Sequence, residues 1–342
     1  MSDTRDKHDV TTTSESQDTS DSIKHTRYHL FRSILRGLFG ARLYLGLSRT
    51  GISLGCTHAG WKKNFTYIAD HSCHLDQFAQ QYKAFLAKNS QHGLPLTITL
   101  SDDWCRLFMV TPPRNITRFQ DLQATAQMRF AALYGGDASA MVNRGTSHAS
   151  PVPTDMSSDG WEIDADWNAN RPFLVCALPR ALCTMLHQTA NEQHHLLLAI
   201  VPYFVAVLNQ QQQSLPPDTW LAVVHENVIT FGIFSGVNGS AQLTDIHTVP
   251  IPGKGCNSAW LEQQLNSVAW QRNAILPKQL HLIDEQQQLS RWLEHDAQQA
   301  QTHFRITLRH SPINLNAVIT PLTPLALPPL ATLILARSGV PR

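Results

Sequence analysis

The stretch that most restricts what this chain can become is residues 171–210, RPFLVCALPRALCTMLHQTANEQHHLLLAIVPYFVAVLNQ. Phe173–Leu178 and Leu196–Val201 are apolar runs of strand length, and each leads through a proline into a segment of helical period. Pro179 opens the first such segment, where its missing N–H costs nothing because that donor would be orphaned anyway. Leu182, Met185, Leu186 and Ala190 then recur at helical spacing, and Pro202 precedes a second apolar helix, Tyr203–Leu208. Two apolar strands joined through a helix predict a parallel βαβ crossover buried on both faces. An α/β fold with mixed sheets flanked by helices follows.

Upstream, residues 1–27 are rich in Ser, Thr, Asp and His and bury almost nothing, which predicts a disordered tail. RYHLFRSILRGLFGAR then places Leu30, Phe31, Ile34, Leu35, Leu38 and Phe39 on one helical face, with Arg27, Arg32, Arg36 and Arg42 on the others. Such a helix suits an anionic membrane surface or the protein's own core or a partner. The second reading is favoured, because one short helix interrupted by Gly37 anchors weakly. LYLGLSRTGISL, residues 43–54, alternates about a Ser48–Gly51 turn and predicts a β-hairpin. Its Gly46, Gly51 and Ser53 approximate a P-loop, but Ile52 stands where the phosphate-reaching Lys is required and no helix follows.

Further strands are expected at Phe65–Ala69, Leu94–Leu100, Cys105–Val110 and Trp161–Trp167, with helices at His74–Lys88 and Thr117–Leu133. Asp102 and Asp103 read as turn residues. Residues 135–160 are Ser, Pro, Asp and Gly and read as a long surface loop. QQQQSLPPD, at 210–218, reads as a linker. Beyond it come strands at Trp220–Val224, Val228–Phe234, Ala241–Ile251, Gln279–Ile283 and Phe304–Leu308, and helices at Ala259–Trp270, Gln286–Gln298 and Leu330–Arg337.

A length of 342 residues is long for one core, and 42% hydrophobic residues suffice for a sizeable one. The formal charge of +1 gives no case for a nucleic-acid surface. The six cysteines form no CxxC pair and lie mostly in apolar surroundings, which fits a reducing cytosol and buried thiols. The charged, hydroxylated opening does not have the pattern of a secretory leader.

Each half opens with antiparallel strands and continues with strands alternating with helices. Two such lobes about a cleft is the actin, sugar-kinase and Hsp70 architecture. LYLGLSRTGISL resembles the opening hairpin of PilM, the actin-like (ASKHA) component of type IV pilus assembly. WEIDADWNANRPFLVCALPRALCTMLHQTANEQHHLLLAIVPYFVAVLNQ, WLAVVHENVITFGIFSGVNG with VPIPGKG, and PPLATLILARSG resemble later parts of that family. LSDDWCRLFMVTPPR is more similar to the GspL branch of type II secretion. The resemblance covers Leu43 to Ser338. It implies a degenerate actin-like fold with a first lobe at 28–212 and a second at 213–342.

Departures from the family pattern carry the functional reading. Gly46 stands where the family's metal-holding Asp would be, and Ser48 where its glycine would be. The second lobe has no Asp between Thr219 and Thr244, and its turn is His225-Glu226-Asn227. Without those carboxylates Mg·ATP loses its anchoring charges. No cofactor is therefore expected, and Lys254 of the PGKG turn reads as solvated. Cys56, His58, His71, Cys73 and His74 are zinc-ligand types, but their spacing matches no usual zinc pattern. His194 and His195 read as a loop pair, and Glu162, Asp164 and Asp166 as a wet strand face. No GxSxG elbow or nucleophile with a placed base occurs.

The expectation is a non-catalytic cytoplasmic scaffold at the inner face of the inner membrane. Its partner would be an inner-membrane pilus or secretion protein with a short cytoplasmic tail. Membrane contact would be peripheral at most, nucleic acid has no part, and homo-oligomerisation is compatible. The rival readings are an actin-fold ATPase or kinase with rearranged phosphate loops, and an interaction module unrelated to pili.

Overall fold

In the computed structural model, the described residues are 40–57, 65–72, 78–89, 93–114, 118–135, 160–211, 215–237, 240–252, 257–277, 279–284, 305–308 and 330–338. The opening alternation forms the expected hairpin. β1 (Arg42–Leu47) pairs antiparallel with β2 (Gly51–Thr57), Leu47 opposite Ile52. β3 (Phe65–Ser72) adds to β2 antiparallel, while β4 (Pro95–Leu100) lies parallel to β1 on the other side. β8 (Leu196–Pro202) closes that edge, parallel to β4, giving the order β3-β2-β1-β4-β8.

The second half repeats this plan strand for strand. β9 (Trp220–His225), β10 (Val228–Val237) and β11 (Ser240–Pro250) form an antiparallel meander. β12 (Gln279–Ile283) and β13 (Arg305–Leu308) then add in parallel, giving β11-β10-β9-β12-β13. The two hairpins β1–β2 and β9–β10 hold equivalent places, as the repeated order of elements predicts.

The 171–210 stretch departs from expectation. β7 (Phe173–Pro179) does not share a sheet with β8. It is the middle strand of a separate antiparallel sheet between β5 (Arg106–Val110) and β6 (Trp161–Ala165). Both of its hydrogen-bonding edges are thereby occupied, so no βαβ crossover forms. β8 is also not buried on both faces: it is an edge strand, with Leu196 40% and Leu198 43% exposed. The helices after each strand do form, α3 over Arg180–Glu192 and α4 over Tyr203–Gln211. Of the earlier helices, α1 covers Phe78–Asn89 and α2 covers Phe119–Tyr134.

The small sheet packs Phe108, Val110, Phe173 and Val175 against Leu122, Ala126 and Phe130 of α2. The outer face of the second sheet packs on α5 (Ser258–Arg272), whose Asn257 side chain caps it by accepting from Trp260 N at 2.8 Å. The largest core joins the lobes: Leu45, Ile98 and Phe204 from the first half are continuous with Leu221, Val223 and Phe234 from the second. Gly232 permits this approach, because a Cβ there would lie 2.6 Å from the Phe204 ring.

The closing helix α6 (Leu330–Ser338) was assigned by sequence position to the second lobe. It packs instead on β1 and β2 of the first, burying Ile334 and Leu335 in the joint core. The apolar helix face Leu30, Phe31, Ile34, Leu35, Leu38 and Phe39, the tail before it, the 286–298 helix and Lys254 lie outside the described residues. So do His58, Cys73 and His74 of the zinc-type cluster. Of the rest, Cys56 pairs opposite Thr66 and His71 opposite Ile52, at far ends of one ladder. Among the described residues no group of three or more His, Cys, Asp or Glu is placed to hold a metal.

Candidate functional site

Three turns converge where the lobes meet. The first joins β1 to β2 at Ser48-Arg49-Thr50, and the second joins β9 to β10 at Glu226-Asn227. The third is a 3₁₀ turn, Asp102–Trp104, directly after β4 and anchored to β1 by Ser101 N donating to Leu47 O at 2.9 Å.

The first turn consumes its own donors. The buried Ser48 Oγ accepts from Thr50 N at 3.1 Å and Gly51 N at 3.2 Å, and Ser48 N donates to Gly51 O at 3.0 Å. These are amides a phosphate cradle would need. Gly46 sits inside the ladder, opposite Ser53 and beside Thr99, and brings no charge. The second turn holds Glu226 at φ 49°, a left-handed conformation in which glycine is the relaxed residue.

Side chains then stitch the lobes together. Thr50 Oγ1 donates to Glu226 Oε1 at 2.5 Å, linking the two hairpin turns directly. His225 Nδ1 lies 3.1 Å from Ser101 Oγ, and its ring stacks obliquely 5.0 Å from Tyr203. Asp102 is buried as well, 2% exposed. Its Oδ1 accepts from Phe204 N at the start of α4, and its Oδ2 from Thr230 Oγ1 on β10, both at 3.0 Å. Thr230 is in turn 3.2 Å from Thr248 Oγ1. Burial pushes the Asp102 carboxyl up to about 7, against the opposing pull of the Phe204 amide and the Thr230 hydroxyl. Burial also raises Asp103, against the pull of Arg49, whose Nε is 2.5 Å from Asp103 Oδ2.

These residues do not fit Mg·ATP. The amides of the first turn are taken by Ser48, both Asp102 oxygens are taken by protein donors, and Asp103 is paired with Arg49. Glu226 adds a carboxylate that is engaged by Thr50 of the facing turn. The sequence pointed to Ser48, His225 and Glu226, and the structure brings their turns together. It did not point to Thr50, Ser101, Asp102 or Thr230. The only trace of these was a hydroxyl on the otherwise apolar run Val228–Phe234 and a carboxylate right after an apolar strand.

A second feature lies on the first lobe. A groove of about 450 Å³ runs between the small sheet and the edge strand β8. One wall is Leu197–Pro202. The other carries Glu162 and Asp164 of β6 and Asp166 just after it, with Leu174, Cys176 and Leu178 of β7 beside them. The carboxylates read as a wet strand face thus line a concave surface. A larger hollow of about 830 Å³ between α1 and α3, rimmed by the Lys83–Glu192 ion pair at 2.6 Å, is bounded chiefly by helix side chains.

No family model matches the chain. No curated protein matches it either. Solved structures do. The PilM-PilN type IV pilus biogenesis complex is similar at TM-score 0.53 and 12% identity, over 88% of this chain and 99% of that one. A Bacteroides thetaiotaomicron protein of actin-like ATPase fold and unknown function gives 0.47 at 10% identity, over 79% and 91%. The cytoplasmic domain of EpsL, an inner-membrane component of the Vibrio cholerae type II secretion system, gives 0.41 at 10% identity, over 88% and 94%. Taken with the duplicated sheets and the hairpins facing each other between them, the likeness to the PilM-PilN structure shows that this chain has the actin-like two-lobe fold.

Proposed function

We propose that the chain is a non-catalytic scaffold that binds the extended cytoplasmic tail of an inner-membrane pilus or secretion protein. The observation that carries this reading is the groove beside β8. An edge strand offers backbone donors and acceptors to an added extended segment, and its apolar side chains give that segment pockets. Leu197, Leu198 and Val201 supply the apolar surface, and the facing carboxylates Glu162, Asp164 and Asp166 favour a tail with basic residues. The similar PilM-PilN structure is itself a complex of pilus biogenesis, which supports a protein partner for this fold. The lobe junction supports the non-catalytic part, since the Ser48 hydroxyl and the Asp102 and Glu226 carboxylates are engaged by protein donors. Among the described residues no helix is long and apolar enough to cross a membrane.

The test is fluorescence anisotropy with synthetic peptides copying the N-terminal tails of small bitopic membrane proteins encoded beside the gene. The expected result is saturable binding by at least one tail, weakened ten-fold or more by Leu198→Asp and by Asp164→Lys. Tight binding that both variants leave unchanged would remove the groove from the account. No binding by any tail would remove the scaffold.

A further inference from the structure

The groove beside β8 is matched by a segment of this same chain. β8 carries six consecutive apolar residues, 196–201, of which 197–201 line the groove. Leu198 among them is 43% exposed, and Val205 of α4 extends the apolar wall. Glu162, Asp164 and Asp166 stand across from it with His187, and no Lys or Arg is among the described residues that line it. Arg171 is 3.9 Å from Asp166, where both side chains are exposed. Residues 22–42 have the opposite charge. They contain Lys24, Arg27, Arg32, Arg36 and Arg42 and no Asp or Glu, and at helical spacing Leu30, Phe31, Ile34, Leu35, Leu38 and Phe39 fall on one face.

Sheet register brings the start of β1 close to this groove. Leu43 of β1 is opposite Leu96 of β4, and Leu96 is opposite Leu197 of β8. Two steps of about 4.8 Å put Leu197 about 10 Å from Leu43. The three residues back from Arg42 to Phe39 also span about 10 Å when extended, enough to reach the foot of β8. Twelve residues of helix are about 18 Å long, and residues 197–202 of β8 span about 17 Å. We propose that residues 27–39 occupy the β8 groove in cis, with their apolar face on Leu197, Leu198 and Val201 and their arginines toward Glu162, Asp164 and Asp166.

The contact is autoinhibitory. An amphipathic helix laid in a groove and an extended tail added to β8 cover the same leucines, so one excludes the other. A short tether holds the segment near the groove at an effective concentration on the order of a millimolar, so a contact that is weak between separate molecules suffices in cis. Apolar burial supplies most of its strength, while the exposed charges set its orientation and weaken with salt. That the segment controls access by a partner tail rests on the peptide-binding reading above; the cis contact itself does not.

The test is photo-cross-linking in the full chain at low micromolar concentration, with Leu35 replaced by p-benzoylphenylalanine and the adducts mapped by mass spectrometry. The expected product is an intramolecular link from residue 35 to residues 174–178 or 197–205. Leu198→Asp and Asp164→Lys should each lower its yield several-fold, and Asp164→Asn serves in the same direction if the Lys variant does not fold. Links to α5 or α6, links between two copies that grow with protein concentration, or a groove link indifferent to Leu198→Asp and Asp164→Asn would overturn the assignment. So would sedimentation with phosphatidylserine vesicles that Leu35→Asp abolishes, in a chain that forms no groove link. A tail peptide should bind Leu35→Asp about ten-fold more tightly than the wild type. A groove link with no tail binding to either protein sinks the scaffold reading alone, and tail binding with the link elsewhere sinks the cis occupant alone.

Discussion

Replacing Asp102 with Asn keeps the shape of the side chain and removes its charge. The Asn carbonyl still accepts from Phe204 N, and its amide donates to Thr230 Oγ1, which turns its own proton toward Thr248. The wild-type carboxyl ordinarily titrates near 3.8 but in the folded chain near 7, because burial disfavours its charged form. Between those values the folded chain holds a proton that the unfolded chain has released, so stability falls as pH rises through the window. That contribution is fully present below the lower value and gone above the upper, and it amounts to about 4 kcal/mol at most. Asp103, His225, Glu226 and Arg49 face the same junction and are present in both proteins; of these, the Asp103 charge adds to the rise of Asp102. Urea unfolding of both proteins at about pH 4.5 and about pH 8.5 provides the assay. Near-equal stability in acid is expected, with Asp102→Asn ahead at the alkaline pH. Parallel pH profiles, or an Asn variant weaker by more than about 2 kcal/mol at the alkaline pH, would refute the reasoning.

A double-mutant cycle of Thr50→Ala with Glu226→Ala should return a coupling of up to about 1 kcal/mol, as for a partly exposed charged hydrogen bond; no coupling would mean the two turns are not joined in solution. Calorimetry with Mg·ATP should give no binding heat at micromolar concentrations, and a Glu226-dependent isotherm would restore the ATPase reading. Leu335→Ala removes a fully buried side chain from the joint core and should cost about 2–5 kcal/mol in one cooperative unfolding transition; a smaller loss would mean that α6 is not part of that core.

Periodicity carried most of the fold. The β1–β2 hairpin, the meander Trp220–Pro250 and the helices after Pro179 and Pro202 lie where period and punctuation place them, because each rests on local chemistry. The parallel crossover over 171–210 did not form, for a reason local sequence cannot carry. A run such as Phe173–Leu178 is apolar on both faces whether it sits in a parallel sheet or, as here, between α2 and a groove. Which edges β7 uses is decided by β5 and β6, and β5 lies well upstream. At the lobe junction the sequence marked Ser48, His225 and Glu226, which sit in the two facing turns. What fills the place was not legible, since Asp102 meets Thr230 across 128 positions and Thr50 meets Glu226 across 176. A hydroxyl or carboxylate has no periodic signature, and only tertiary placement turns it into a clasp.

The return of α6 to the first sheet has a consequence for how the chain is made. β1 and β2 are synthesised nearly 300 residues before the helix that covers them. Gln210 Nε2 seals that arrangement by donating to Ser338 O at 2.8 Å. Until residues 330–338 are free, the early sheet carries an uncovered apolar face through the synthesis of everything between. Contacts this distant along the chain close slowly and leave nascent surface exposed to self-association. A ribosome stalled before residue 330 should therefore hold a first lobe that is collapsed, protease-sensitive and bound by trigger-type chaperones, and extension past residue 338 should convert it to the protected form.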